Sequence, residues 1–136
     1  MTAETLADGL HLTADLTGCA PEQPWMHHAD TLRQACIDLV HRHGLRCVGD
    51  CFHQFPAPWP GQPGGVTGVL LLAESHLAVH TWPERGHVTI DVFVCNVGID
   101  NSARAQALMT AFSEGFRPRQ VRTQAMRRGM PLAPNT

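Results

Sequence analysis

A hydroxyl, an imidazole and a thiol stand close together in one short stretch of this 136-residue chain. Ser75 directly follows Glu74, His80 lies five residues further on, and Cys95 ends the next apolar run. These side chains could serve as a nucleophile, a general base and a proton donor. A single Glu-Ser pair or one strand histidine would mean little, so the functional hypothesis depends on their joint spacing.

The stretch resembles the self-processing site of the small prokaryotic S-adenosylmethionine decarboxylases, which make a covalent pyruvoyl group from an internal serine. The resemblance covers three segments at the family's spacing: Glu74-Ser75-His76, His80-Thr81-Trp82-Pro83-Glu84 followed by Gly86, and Ile90-Asp91-Val92-Phe93-Val94-Cys95. It extends more weakly to Gly9-Leu10-His11-Leu12, Phe52-His53-Gln54-Phe55 and Gly65-Val66-Thr67-Gly68-Val69. It implies a cytoplasmic lyase that supplies the aminopropyl donor for spermidine biosynthesis.

Decarboxylation of an α-amino acid leaves an electron pair on the α-carbon, and no protein side chain delocalises it, so an electron sink such as a pyruvoyl group is needed. The resemblance implies that Ser75 Oγ attacks the carbonyl of Glu74 and that elimination and hydrolysis turn Ser75 into that group. The substrate amine then forms a Schiff base with it. This autocatalytic cleavage would divide the zymogen into residues 1–74 and 75–136.

The family pattern assigns roles in processing and in substrate turnover to three further residues. His80 is the processing base, Cys95 is the proton donor to the substrate α-carbon, and Thr67 supports processing where the family has a serine. In a regular strand, Ser75 and His80 would lie on opposite faces, because side chains alternate. We therefore expect the chain to bend around the site so that His80 reaches Ser75.

The resemblance also implies a binding site for S-adenosylmethionine. Phe55 would stack on the adenine, Glu84 would bind the ribose hydroxyls, and Trp82 would shape the wall beside them. From the residues alone, Phe52 and Phe55 could equally belong to the core. Trp82 and Glu84 could equally shape a turn with Pro83.

Two other functions stay open at this point. One is decarboxylation of ornithine or arginine by the same pyruvoyl chemistry. The unusual Cys95-Asn96 dipeptide and the proline-rich segment 56–64 are the reasons to retain this alternative. The other is an unprocessed, non-catalytic paralogue that binds or regulates a partner.

The composition argues against several other classes of function. A formal net charge of -2, with only ten Lys and Arg residues, provides no basic field for nucleic acid. The first residues lack a basic start and a continuous apolar stretch, so we expect neither a signal peptide nor a membrane span. We expect the five cysteines to be thiols and no metal to be bound, since neither candidate group (His76 with His80; Cys47, Cys51 and His53) has a paired zinc pattern.

The periodicity of the chain predicts one α+β domain over residues 1–136. The alternation of apolar and polar residues predicts a strand over 9–16. Runs rich in Val, Leu, Ile, Thr and Phe between proline- and glycine-containing connections predict strands over 46–55, 65–72, 77–82 and 87–95, and a last strand is expected around 120–125. One helix should begin with Asp30 as its cap and end at Gly44, and a second should run from Ser102 to about Gly115. Each helix has one apolar stripe, so we expect a two-layer αβ sandwich, with both helices on one face of a mostly antiparallel sheet. The other face then needs cover, and the resemblance implies a homodimer with active sites at its interface.

Overall fold

The computed structural model describes residues 8–96 and 98–129. They form β1 (Gly9–Thr17), α1 (Pro24–His27), α2 (Ala29–Arg42), β2 (Cys47–Gln54), β3 (Val66–Leu72), β4 (Ser75–Trp82), β5 (His87–Cys95), α3 (Ser102–Gly115) and β6 (Gln120–Arg128). The strands lie in the order β2-β3-β4-β5-β1-β6, and every neighbouring pair is antiparallel. The predicted α+β architecture is therefore confirmed. None of the helices among these residues is long and apolar enough to cross a membrane.

The core lies on one face of the sheet, as the single apolar stripe of each predicted helix led us to expect. In β5, buried residues from Val88 to Val94 alternate with partly exposed ones. Helix α2 packs on β2 and β3, and α3 packs on β1 and β5. Phe112 and Phe116 of the α3 region are the largest fully buried side chains. We call the opposite face of the sheet, which these helices leave uncovered, the open face.

Helix α2 has the predicted extent but a different cap. The N-cap is His28, whose Nδ1 accepts a hydrogen bond from the Thr31 backbone N–H at 3.4 Å. The prediction that Asp30 caps the helix is therefore wrong. Asp30 lies in the first turn, where a carboxylate interacts favourably with the helix dipole. Gly44 follows the helix with a φ of 79°, the left-handed conformation that commonly ends a helix.

Two strands are longer than the sequence predicts, and one short helix was not predicted. Strand β4 begins at Ser75 rather than at residue 77, and β6 continues to Arg128 rather than to residue 125. Strand β6 pairs with β1 along its whole length although its residues are exposed, so backbone pairing rather than apolar periodicity sets its limits. The unpredicted helix α1 begins at Pro24, whose fixed φ suits the first helical position.

Candidate functional site

The Glu74–Ser75 peptide bond lies at the tight hairpin between β3 and β4. Leu72 pairs with Ser75, so Ala73 and Glu74 alone form the turn. Glu74 has a φ of 62°, in the left-handed region that costs a residue with a side chain roughly 1–2 kcal/mol. The bond that the sequence predicts to be cleaved therefore follows an exposed residue with a strained backbone.

The Ser75 hydroxyl is held against the end of β5. The backbone N–H of Cys95 donates a hydrogen bond to Ser75 Oγ at 3.1 Å. The Cys95 carbonyl accepts a hydrogen bond from Asn101 Nδ2 at 3.1 Å, which fixes the end of the strand. Cys95 alternates with buried Val94, so its partly buried side chain belongs to the open face. We call Glu74, Ser75 and Cys95 the serine end of the site.

An aromatic and charged cluster, which the sequence reasoning missed, covers the open face beside the serine end. The ring centroids of His76 and Phe93 are 5.6 Å apart, and the Arg128 guanidinium carbon lies 5.0 Å from the Phe93 centroid. Arg128 Nη1 donates to His11 Nδ1 at 3.2 Å, so a neutral His11 carries its proton on Nε2, 3.5 Å from Asp91 Oδ1.

Burial lowers the pKa of His76 below its ordinary value, and the neighbouring His11 and Arg128 lower it further, whereas Asp91 opposes them. The cluster thus favours the neutral form of His76. The alternation of β5 could have indicated this cluster, because it puts Phe93 and Asp91 on the same face as Cys95. The contribution of Arg128 requires β6 to pair beside β1, and no local pattern predicts that.

His80 lies at the other end of β4. Its Nδ1 is 3.0 Å from the hydroxyl oxygen of Thr67, the residue directly opposite on β3. The ring centroids of His80 and Trp82 are 6.0 Å apart, and those of Trp82 and His87 are 5.4 Å apart. The predicted processing base and its supporting hydroxyl are therefore direct neighbours on the open face.

Beside His80 lies a pocket of about 270 Å³ that brings the predicted substrate-binding residues together. Its lining residues are Phe55, Pro56, Pro58, Gly65, Thr67, Thr81, Trp82 and Glu84. Phe55 is 46% exposed and Trp82 is 37% exposed, so both rings are available for stacking and Phe55 is not a core residue. We call Phe55, Thr67, His80, Trp82 and Glu84 the histidine end of the site.

The two ends do not meet within one chain. Strand β4 is regular, with residues 76–82 in continuous register with β5. Five residues of strand span about 16 Å, and Ser75 and His80 lie on opposite faces. The expectation that the chain bends to bring His80 to Ser75 is therefore wrong. A regular strand keeps both backbone ladders intact, which a bend would break.

The remaining cysteines lie outside the site. Cys19 and Cys36 are buried, as expected of packing residues, and burial raises the pKa of both thiols, that of Cys19 to about 11. All five cysteines are free thiols. Over residues 8–96 and 98–129, no three His, Cys, Asp or Glu side chains approach closely enough to hold a metal ion.

Comparison with known proteins points to one family. Residues 10–129 match the family model described as S-adenosylmethionine decarboxylase. The S-adenosylmethionine decarboxylase proenzyme of Archaeoglobus fulgidus is 33% identical over 121 residues, covering 89% of this chain and 97% of that protein. The corresponding proenzyme of Persephonella marina is 35% identical over 121 residues, covering 89% and 82%. The crystal structure of the adenosylmethionine decarboxylase of Aquifex aeolicus aligns with a TM-score of 0.74 at 30% identity, covering 89% of this chain and 90% of that one.

Proposed function

The chain belongs to the S-adenosylmethionine decarboxylase family, and we propose that Ser75, His80 and Cys95 carry its chemistry at a site shared between two copies of the chain. The family function is that of a carboxy-lyase made as a proenzyme, with a pyruvoyl group formed by self-cleavage and a product used for spermidine biosynthesis. The observation that carries the assignment to particular residues is the hairpin, where strained Glu74 precedes a serine hydroxyl held by a backbone N–H.

Processing begins with attack of Ser75 Oγ on the carbonyl carbon of Glu74. The C–N bond breaks as the C–O ester bond forms, and the Ser75 nitrogen receives the hydroxyl proton. A base then removes the Ser75 α-proton, and the electron pair expels the Glu74 carboxylate. The dehydroalanine that remains takes up water and loses ammonia to become the pyruvoyl group. The hydrogen bond from Cys95 N–H supports this role by fixing the Ser75 oxygen beside the scissile bond.

His80 suits the role of base. When its Nδ1–H donates to the Thr67 hydroxyl, its Nε2 carries the free lone pair that can accept a proton. His80 of the same chain is about 16 Å from Ser75 along β4, so it cannot act there. The base must therefore come from a second copy of the chain.

A two-fold axis between two open faces would bring the His80 of each copy to the Ser75 end of the other. If two open faces pack together, the histidine end of each copy lies over the Ser75 end of β4 in the other copy, where Cys95 is on the open face and the base has only to reach the main-chain α-carbon of Ser75 rather than its side chain. The axis then lies between the two sheets, above the stretch of β4 between Leu77 and Ala78, midway between Ser75 and His80. The open face offers apolar surface for such packing, because Leu71 and Met126 are 51% and 60% exposed.

The same arrangement assembles the decarboxylation site. The pyruvoyl group supplies a carbonyl that accepts the electrons released by decarboxylation. Phe55 and Trp82 present ring faces to the adenine and the sulfonium cation, and the Glu84 carboxylate accepts hydrogen bonds from ribose hydroxyls. Cys95, on the open face at the serine end, donates a proton to the substrate α-carbon.

The mass of the purified protein tests the assignment of the cleavage site. We expect two fragments, 1–74 and 75–136, and the second should resist Edman degradation because its amino group is lost. Ser75→Ala should remain one chain. Ser113→Ala is the matched control, since it removes a buried serine hydroxyl that has no hydrogen-bond partner within residues 8–96 and 98–129, and it should leave cleavage unchanged. A wild-type chain that stays intact would support the non-catalytic paralogue instead.

Release of labelled carbon dioxide tests the substrate. The two exposed rings of the pocket suit an adenosyl group better than a slim diamino acid, so S-adenosylmethionine should be decarboxylated and ornithine and arginine should not. Faster release from ornithine or arginine would reassign the substrate and leave the cleavage chemistry standing.

A further inference from the structure

We propose that the proline-rich loop between β2 and β3 is a rigid wall of the substrate pocket and sets the affinity for the adenosyl substrate. The loop, here called the proline arm, is Pro56-Ala57-Pro58-Trp59-Pro60-Gly61-Gln62-Pro63-Gly64. The inference rests on the proposed function, because it takes the pocket at the histidine end as the adenosyl site. It adds a specificity element that Phe55, Trp82 and Glu84 do not account for.

The base of the proline arm is closed by hydrogen bonds. The Phe55 backbone N–H donates to the Gly65 carbonyl at 2.9 Å. Gln54 Nε2 lies 3.3 Å and 3.2 Å from the carbonyl oxygens of Gly64 and Gly65, on the far side of the loop. Gln54 Oε1 accepts a hydrogen bond from Ala29 N–H at 2.8 Å, at the start of α2. One side chain thus ties both ends of the arm to the helical layer.

Close packing also restricts the base of the arm. A Cβ atom on Gly64 would lie 2.0 Å from the Phe55 carbonyl oxygen, so only glycine fits where the two halves of the loop meet. This contact keeps the end of the arm against Phe55, whose ring lines the pocket.

The tip of the proline arm is a defined turn. The Gln62 backbone N–H donates to the Trp59 carbonyl at 3.1 Å, with Pro60 and Gly61 between them. Gly61 has a φ of 82°, and proline followed by such a glycine is the signature of a type II turn. Proline fixes φ at four of the nine residues of the arm, which restricts the conformations open to the loop.

Only the first half of the arm faces the pocket. Pro56 and Pro58 line it together with Phe55, Trp82 and Glu84. Trp59 is 55% exposed and does not line it, and neither does Pro60. The arm therefore presents two proline rings to the space between Phe55 and Trp82, while its tip extends away. An adenosyl group in this space would contact the proline rings as well as the aromatic ones.

Two matched substitutions test the wall: Pro58→Gly removes a ring that lines the pocket, and Pro60→Gly removes a ring of the same arm that does not. Pro58→Gly should raise KM for S-adenosylmethionine roughly fivefold, since apolar contact is lost, with kcat within about twofold of wild type. Pro60→Gly should leave both constants unchanged. Both variants should self-cleave completely, because neither residue is among those proposed to carry out the cleavage.

The outcomes separate the wall from the proposed function. An unchanged KM in Pro58→Gly overturns the wall while the enzyme assignment stands. An equal rise of KM in both variants also overturns it, because the effect would then not come from contact of the Pro58 ring with the substrate. A wild-type protein that cleaves but releases no carbon dioxide from S-adenosylmethionine overturns the proposed substrate and, with it, the wall.

Discussion

The two ends of β4 are built in contrasting ways. At the serine end, a two-residue turn strains Glu74, and a backbone N–H holds the Ser75 hydroxyl, so the main chain sets the geometry. At the histidine end, side chains set the geometry, since Thr67 orients His80 and exposed rings line an open pocket. Under the proposed assignment, the first kind of end suits cleavage of the chain and the second suits proton transfer and ligand binding. Neither end holds a complete set of groups.

The contrast is tested most strongly by mixing two inactive chains. Ser75→Ala lacks the nucleophile, and His80→Ala lacks the base, so each should remain uncut alone. When the two are refolded together, the intact His80 of one chain should serve the intact Ser75 of the other. We expect cleavage of up to about half of the His80→Ala chains, as random pairing of two copies allows, and none of the Ser75→Ala chains.

Intact mass of the two chains in the mixture measures this outcome, provided that one chain carries a tag that distinguishes them. A mixture of His80→Ala chains with further His80→Ala chains is the control and should stay uncut. If the mixed chains also stay uncut although they associate, His80 acts within its own chain or another group is the base. Both explanations would contradict the proposal that the two ends of β4 from different chains act together.

A smaller effect should come from relieving the strain at the serine end alone. Glu74→Gly accommodates the φ of 62° without a side-chain penalty. In a Ser75→Ala background, which stays uncut, it should raise the free energy of unfolding by about 1 kcal/mol, as measured with denaturant. In the wild-type background, it should slow self-cleavage up to about tenfold, because strain no longer raises the energy of the precursor.

Arg117→Gly provides the matched control for this experiment. Arg117 has a φ of 51° after the end of α3, and it is the other described residue with a side chain and a positive φ. Its replacement should stabilise the chain to a similar degree and leave the rate of cleavage unchanged. Equal cleavage rates in Glu74→Gly and wild type would show that the strain at Glu74 does not promote the reaction.

The smallest expected effect concerns the pH dependence of stability that arises from His76, in the cluster beside the serine end. His76 faces His11 on β1, Asp91 on β5 and Arg128 on β6. Burial, with His11 and Arg128, lowers its pKa in the folded state, and Asp91 only partly opposes them. As pH falls below about 6.5, the unfolded chain therefore takes up a proton at His76 that the folded chain resists. Stability should decrease over this window as pH falls.

Replacing His76 by Gln removes this titration, so stability should fall less between pH 7 and 5 than in the parent, again in the Ser75→Ala background. An identical slope in the His76 variant and the parent would mean that the cluster has no net effect on protonation of His76.

The sequence by itself determined the elements and the identity of the candidate site residues. The period-two pattern over β1 predicted which of its side chains are buried, because alternation along a strand is a local property. The spacing of Ser75, His80 and Cys95 pointed to the family. Gly44 was predicted to end α2 because a left-handed residue favours glycine.

The tertiary structure decided which of these residues meet. A regular β4 separates Ser75 from His80, and the pairing of β6 beside β1 brings Arg128 over Phe93. The left-handed conformation of Glu74 likewise depends on the register of β3 and β4, since Leu72 pairs with Ser75. Strand order and register arise from contacts between residues distant in sequence, so no local pattern of residues specifies them.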